Sequence, residues 1–423
     1  MDRTSEGDTP LNVMKKEPEP LTQTRWGLIF LLFGGGVVAA FQIGKVPPAL
    51  PAIRTELGLS LFAASWLVSI FSILGASSGI FIGALADWIG RRKMILFGMA
   101  CMALGNLAGA VSHSEAILLI SRFFEGMGYL VTAVATPAII AHMASPMDFR
   151  LAIGVWGCFM AVGMSLIMLM SPMIIAHFGW RGLWFFNAMI VIVIAFMIQK
   201  MTGRPADPAE PVERAHTEPF RDTVLTLKRP GPLLLAASMM TSSIQFMALV
   251  AFLPTFFIEQ CYMGQVKASL FTALTVAVNL TGTIAGIWML QKGIPRWRLI
   301  AASSIIISLS TLGIYSETAL EGIRMILCLI FSGVHGMIPM VILAGAPVHA
   351  PKPNLMGTTN GFIMQGSNAG HVIGPPILAA VVSATGGWHG APWLFLFAAG
   401  VAVALALGIR AVEKVPAQDE SFS

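Results

Sequence analysis

Two residues of this 423-residue sequence invite a chemical reading before any others: Arg122 and Glu125. They lie in the stretch 116–140, which is otherwise apolar enough to cross a membrane, and a spacing of three puts them on one helix face. An ionised side chain at the centre of such a segment costs about 2.5–3.5 kcal/mol on insertion scales, so it normally faces a partner or a cavity. Tyr129, Thr132 and Thr136 extend that face into a polar seam at helical spacing. Two readings stand side by side. Glu125 neutralises Arg122 so that the helix can insert, or the pair lines a transport path. In the second reading Glu125 carries a proton and Arg122 meets an anionic or hydrogen-bond-accepting solute.

The later part of the chain offers neutral polar stripes instead. Gln245 follows Ser238, Thr241 and Ser242, and Asn279 follows Thr272 and Thr275. His335 falls near the middle of 323–345, and Asn360, Gln365, Asn368 and His371 run along 357–383. Each reads either as an interhelical hydrogen bond or as a contact to a solute. The four cysteines are far apart and give no disulfide framework or metal spacing. No cofactor or metal is expected.

The elements that must position these groups follow from composition. Hydrophobic residues make up 56% and charged residues 11%, against roughly 25% charged in average globular chains. So few charges cannot cover an aqueous surface, which excludes a soluble enzyme and a disordered chain. Twelve stretches have the length and apolarity of membrane helices: 26–45, 61–84, 94–112, 116–140, 151–175, 183–199, 232–258, 267–290, 299–315, 323–345, 357–383 and 393–410. The spacing predicts an all-α membrane protein of two pseudo-symmetric six-helix bundles, 26–200 and 232–410. A polar N-terminal tail (1–25), a Pro/Glu/Arg-rich connector (201–231) and a C-terminal tail (411–423) complete it. The first span reads as an uncleaved signal.

With the N-terminus inside, the cytosolic side collects about 20 of the 26 Lys and Arg. Lys45, Arg54, Arg181, Lys267 and Arg324 then fall outside, and Arg122 lies within a span. The net charge of +5 is therefore a topology signal, and no nucleic-acid partner is expected. GWRGLW at Gly179–Trp184 has a counterpart, GWHGAPW, at Gly387–Trp393, offset by close to half the chain. A six-plus-six repeat puts a binding site near the bilayer midplane between halves that rock against each other. Small-residue faces, Ser65 to Gly83 in the second span and Gly357, Gly361, Gly370 and Gly374 in the eleventh, let helix backbones approach closely.

After the second span the sequence reads GALADWIGRRK, Gly83 to Lys93. This resembles the signature loop of the major facilitator superfamily, G-x-L-x-D-x-x-G-R-[RK]-[RK], at the expected place. The resemblance implies that Gly83, Asp87, Gly90, Arg91 and Arg92 form a cytosolic gate, with Asp87 and Arg91 latching the halves. A weaker copy, Gly286 to Arg296-Trp297-Arg298, lacks the Asp, so the latch should be lopsided. Arg122 to Gly128 resembles the R-x-x-[QE]-G-x-G run linked in many members to proton coupling. The G-P-x-x-G-G of drug/proton antiporters is missing, since Leu166 to Ser171 stands in its place and Pro172 is displaced. The run from Lys45 to Ser60 is similar to prokaryotic cyanate- and nitroimidazole-type members.

The expected function is secondary transport of a small organic solute, not an enzymatic reaction. H+ is the expected coupling partner, in a monomer of the bacterial inner membrane with both termini cytosolic. Uptake of a small anion or polar compound stands against efflux of amphipathic compounds past Tyr129, Phe246 and Phe252. A sensor or scaffold would need a signalling domain that the tails and connector do not offer. A membrane enzyme would need a nucleophile, base and orienting group together.

Overall fold

In lipid, every backbone polar group must be satisfied within its own segment, which leaves helices or closed barrels. The structure, a computed structural model, describes residues 23–78, 90–201, 225–352 and 355–414. Among them the regular structure is helical throughout. Ten of the described helices are long and apolar enough to cross a membrane. One of these, Leu151–Met201, is two spans joined at Gly179, whose φ of 68° lies in the left-handed region that favours glycine. The eleventh span, Met356–Thr385, has the length but is more polar than the ten, because it carries Asn360, Gln365, Asn368 and His371. Splitting the one and adding the other gives the twelve helices expected.

Several expected boundaries are corrected. The first span does not stop at 45 but runs through Trp26–Leu57. Its stop signal is Gly58, at φ 64°, whose N–H bonds back to the Arg54 carbonyl. Pro47 and Pro48 occupy the first turn of the continuing helix, where the missing N–H does little harm. Lys45 is consequently no loop residue: it lies inside the helix and is fully buried. Arg324 is also buried, and it donates to the Ser316 carbonyl at 2.6 Å and to Cys261 Sγ at 2.7 Å. The tenth span is not continuous but breaks after His335 and Leu343. A Cβ on Gly336, at the first break, would sit 1.9 Å from the Asn279 carbonyl oxygen, so the eighth span packs directly on that backbone.

Lipid provides no hydrophobic drive between helices, and association rests on close packing. The seventh and eleventh spans show this in register. Cβ atoms on Gly366, Gly370 and Gly374 would lie 2.3, 2.4 and 2.7 Å from the carbonyl oxygens of Ala236, Met240 and Ile244. Both sets repeat every four residues, so each glycine sits over one carbonyl of the facing helix.

The two halves meet along the second and eleventh spans, between the eighth span and the helix Phe159–Met201, and where the first span faces the seventh. The Ser69 hydroxyl donates to the His371 carbonyl at 3.4 Å, and Asn368 lies against Gly75. At the end opposite the termini, Arg54 pairs with Glu259 at 2.6 Å and Gln265 donates to the Pro48 carbonyl at 3.4 Å. Both charged groups are part-exposed, so the pair is worth about 0.2–1 kcal/mol. Reversing Arg54 to Glu should therefore open that end by a small factor, about five-fold or less. Adding Glu259→Arg should restore closure, as read by spin-label distances across the halves. An unchanged distance distribution in Arg54→Glu would show that the Arg54–Glu259 pair does not help to hold the halves together at this end.

Candidate functional site

The centre of the first half is a charge cluster that the sequence displayed only in part. The Lys45 ammonium lies 2.9 Å from Glu125 Oε1, 2.9 Å from Gln42 Oε1 and 2.5 Å from Asn106 Oδ1. The Glu125 contact is a fully buried ion pair. The indole of Trp184 closes the site, with Lys45 Nζ 4.4 Å from its ring centroid. The two amides are oriented by their own donors. Gln42 Nε2 donates to the Val38 carbonyl, and Asn106 Nδ2 donates to the Met102 carbonyl and to Gln42 Oε1. Carbonyls only accept, so each amide must turn its oxygen towards the lysine.

Arg122 bonds to the other carboxylate oxygen, Oε2, and donates from Nε to the Leu67 carbonyl at 2.9 Å. Its guanidinium lies 4.8 Å from the Phe71 ring centroid. Phe71 begins an aromatic seam that continues through Tyr129 at 5.1 Å, Phe159 and the Trp156 ring stacked on it. The fourth-span helix places Arg122 and Glu125 as expected and Tyr129 one turn further on. What the sequence reading missed is Lys45, with Gln42, Asn106 and Trp184. With all three ionised, the cluster holds two cations against one carboxylate, a net +1 at 0–1% exposure.

In the second half, His335 joins the seventh and eighth spans. Asn279 Nδ2 donates to the Ser332 carbonyl at 3.0 Å and meets His335 Nδ1 at 3.2 Å. The amide orientation makes Nδ1 the acceptor, so the ring carries its proton on Nε2, which faces Ser242 Oγ at 2.9 Å. Phe246 stacks on the ring at 4.5 Å. Gln245 is elsewhere: its amide reaches Ser308 Oγ at 3.3 Å and the Phe395 carbonyl at 3.4 Å within the second half. Asn368 and His371 are half-buried along the contact between halves, and Asn368 donates to the Met364 carbonyl.

Of the expected gate residues, Gly83 and Asp87 lie outside the described residues. Gly90 has φ 97° and precedes the third span, which begins at Arg91. Arg92 donates to the Gln199 carbonyl at 3.1 Å, placing a cation on the last turn of the sixth span. The second copy of the loop has an acidic partner from another helix. Arg296 pairs with Glu413 of the twelfth span and donates to the Val341 carbonyl, while His349 lies 3.2 Å from the same carboxylate.

The repeated tryptophan motifs diverge. Trp180 and Arg181 both bond Glu56, and Trp184 is fully buried. In the second copy Trp388 is buried against Phe252, Phe256 and Tyr315, but Trp393 is 71% exposed. GWHGAPW has one residue more than GWRGLW, and one residue turns a helix by about 100°.

Residues 32–375 match the sequence model of the Major Facilitator Superfamily. The chain belongs to this superfamily. The superfamily chain is 24% identical over 193 residues to the lincomycin resistance protein of Streptomyces lincolnensis, covering 45% of this chain and 40% of that one. It is 28% identical over 159 residues to the methyl viologen resistance protein SmvA of Salmonella typhimurium, covering 37% and 32%. With the riboflavin transporter RibZ of Clostridioides difficile it shares 20% over 181 residues, covering 43% and 40%. It thus matches less than half the length of each of these relatives. Among solved structures, a bacterial homologue of the human lysosomal transporter Spinster, inward-facing and unoccupied, superposes with a TM-score of 0.79 at 16% identity. That match covers 93% of this chain and 98% of the other, and it bears on the fold.

Proposed function

We propose that this Major Facilitator Superfamily protein is a proton-coupled secondary transporter of a small organic solute. It works by alternating access, as a monomer in a bacterial inner membrane with both termini cytosolic. The single observation that carries the reading is the Lys45–Glu125–Arg122 cluster. Three ionisable groups at 0–1% exposure are costly, and groups of this kind within spans mark ion and substrate pathways. With all three groups ionised its charge is +1, which favours a solute that is anionic or rich in acceptors. Transport of small organic compounds also fits relatives named for riboflavin transport and for lincomycin resistance.

With cytosolic termini, the Arg54–Glu259 and Gln265–Pro48 contacts close the outer end. Gly83, Asp87 and Arg91 belong to the proposed inner latch, and residues 26–200 and 232–410 to the two rocking units. The likeness of Lys45 to Ser60 to cyanate- and nitroimidazole-type members tilts the solute towards small compounds. Efflux of amphipathic compounds is the second reading, favoured by the seam of Phe71, Tyr129, Phe159 and Trp156.

A thermal-shift screen of the purified protein against small acids, nitroaromatics and cationic dyes at two pH values separates the two, because a ligand of the folded form raises the melting point. Stabilisation by acids or nitroaromatics is expected, and stabilisation by cationic dyes alone would favour efflux. Coupling is then tested in proteoliposomes with the best ligand and the double variant Lys45→Met/Glu125→Gln, which keeps the net charge of the cluster. It should lose accumulation driven by a pH gradient and keep solute exchange. Undiminished gradient-driven accumulation would assign Glu125 a purely structural role.

A further inference from the structure

The surroundings of Lys45 have the form of a binding site for a small cation. Three oxygens converge on one point: Gln42 Oε1, Asn106 Oδ1 and Glu125 Oε1, at 2.9, 2.5 and 2.9 Å from the ammonium. An aromatic face caps that point at 4.4 Å, a contact that favours cations. The oxygens come from the first, third and fourth spans and the indole from the sixth, so four helices build the site. None of the oxygens depends on the lysine for its aim, because the amides are turned by the Val38 and Met102 carbonyls and Glu125 is held by Arg122. Gln42, Asn106, Glu125 and Trp184 are all fully buried. Among the described residues, Lys45 is the cation facing Glu125 Oε1.

We propose that Gln42, Asn106, Glu125 and Trp184 form a monovalent-cation site that Lys45 fills with its own tethered ammonium. The lysine then replaces a free alkali or alkylammonium ion, and the native protein takes up no such ion there. Shortening the side chain would vacate the site without moving the oxygens, and a small free cation would enter. Arg122, the other charged group facing Glu125, lies on the Oε2 side and leaves Oε1 for the cation. This inference concerns the occupancy of the cluster and does not need transport to be correct, so its test is a binding measurement.

Purified Lys45→Ala is melted in methylammonium, sodium, potassium or N-methylglucamine chloride at equal ionic strength. The expected result is a rise of a few degrees in melting point in at least one of the three small cations relative to N-methylglucamine. The native protein and the double variant Lys45→Ala/Glu125→Gln should show no such rise. Lys45→Ser, whose short hydroxyl stops well before the three oxygens, provides a second vacated site if the alanine variant is recovered poorly. A small-cation response in neither variant, or an equal response in the native protein, overturns the proposal. Aggregation of both variants in every salt also counts against it, because a site that free cations fill should be rescued by them. A negative result leaves the solute-transport reading to its own screen.

Discussion

Glu125→Gln alone is expected to destabilise the folded protein by about 3–5 kcal/mol, the scale for removing one partner of a buried ion pair. The substitution leaves Lys45 and Arg122 facing each other across a neutral amide, with no second carboxylate at the cluster among the described residues. Lys45→Met in the same background removes the second cation and should recover most of the loss. The pair should thus be strongly non-additive, with a coupling at or above the upper end of the roughly 0.5–3 kcal/mol found for contacting residues. Urea or thermal denaturation of the two single variants and the double variant in detergent measures this directly. Additive effects would mean that lysine and glutamate do not share the charge balance described above.

The second large effect is expected where the seventh and eleventh spans touch. Gly370→Ala would put a Cβ 2.4 Å from the Met240 carbonyl oxygen and 2.6 Å from Ser243 Cβ. Real Cβ atoms do not approach backbone that closely, so the helices must separate, at a cost of about 1–3 kcal/mol. Separation would also part Ser243 from Ser367, whose hydroxyls meet at 2.9 Å beside this contact. Gly357→Ala on the same helix is the control, because nothing lies within 4 Å of its Cβ position. It should change stability by no more than about 0.5 kcal/mol. Equal melting points for the two variants would show that the glycine seam has slack to absorb a methyl group.

The fold was legible because lipid imposes a strong rule: long apolar stretches must be helices, and the count of twelve survives once the turn at Gly179 and the polar eleventh span are recognised. The Arg122–Glu125 pair was legible for a similar reason, since opposite charges three apart in an apolar run must meet on one helix face. Lys45 was not. It stands where an apolar run meets Pro47-Pro48, and proline after a basic residue reads as the end of a span. The helix in fact continues to Gly58, the residue that can take a left-handed conformation. The glycine rather than the prolines carried the stop signal, because prolines at the start of a turn forfeit little. Asn106 and Gln42 could not be found from spacing, since their roles depend on which helices touch. Gln245 has the residue type of a path-lining group, but its neighbours are Ser308 and Phe395, a fact of tertiary packing alone.

The extra residue in GWHGAPW has a practical consequence for protein engineering. In the first half the indole six positions into the motif is the floor on which Lys45 rests; in the second, Trp393 has swung outwards. Transplanting the lysine arrangement into the second half would therefore fail if only polar side chains were grafted. One residue between Gly387 and Trp393 would have to be deleted first, to swing the ring back under its new guest.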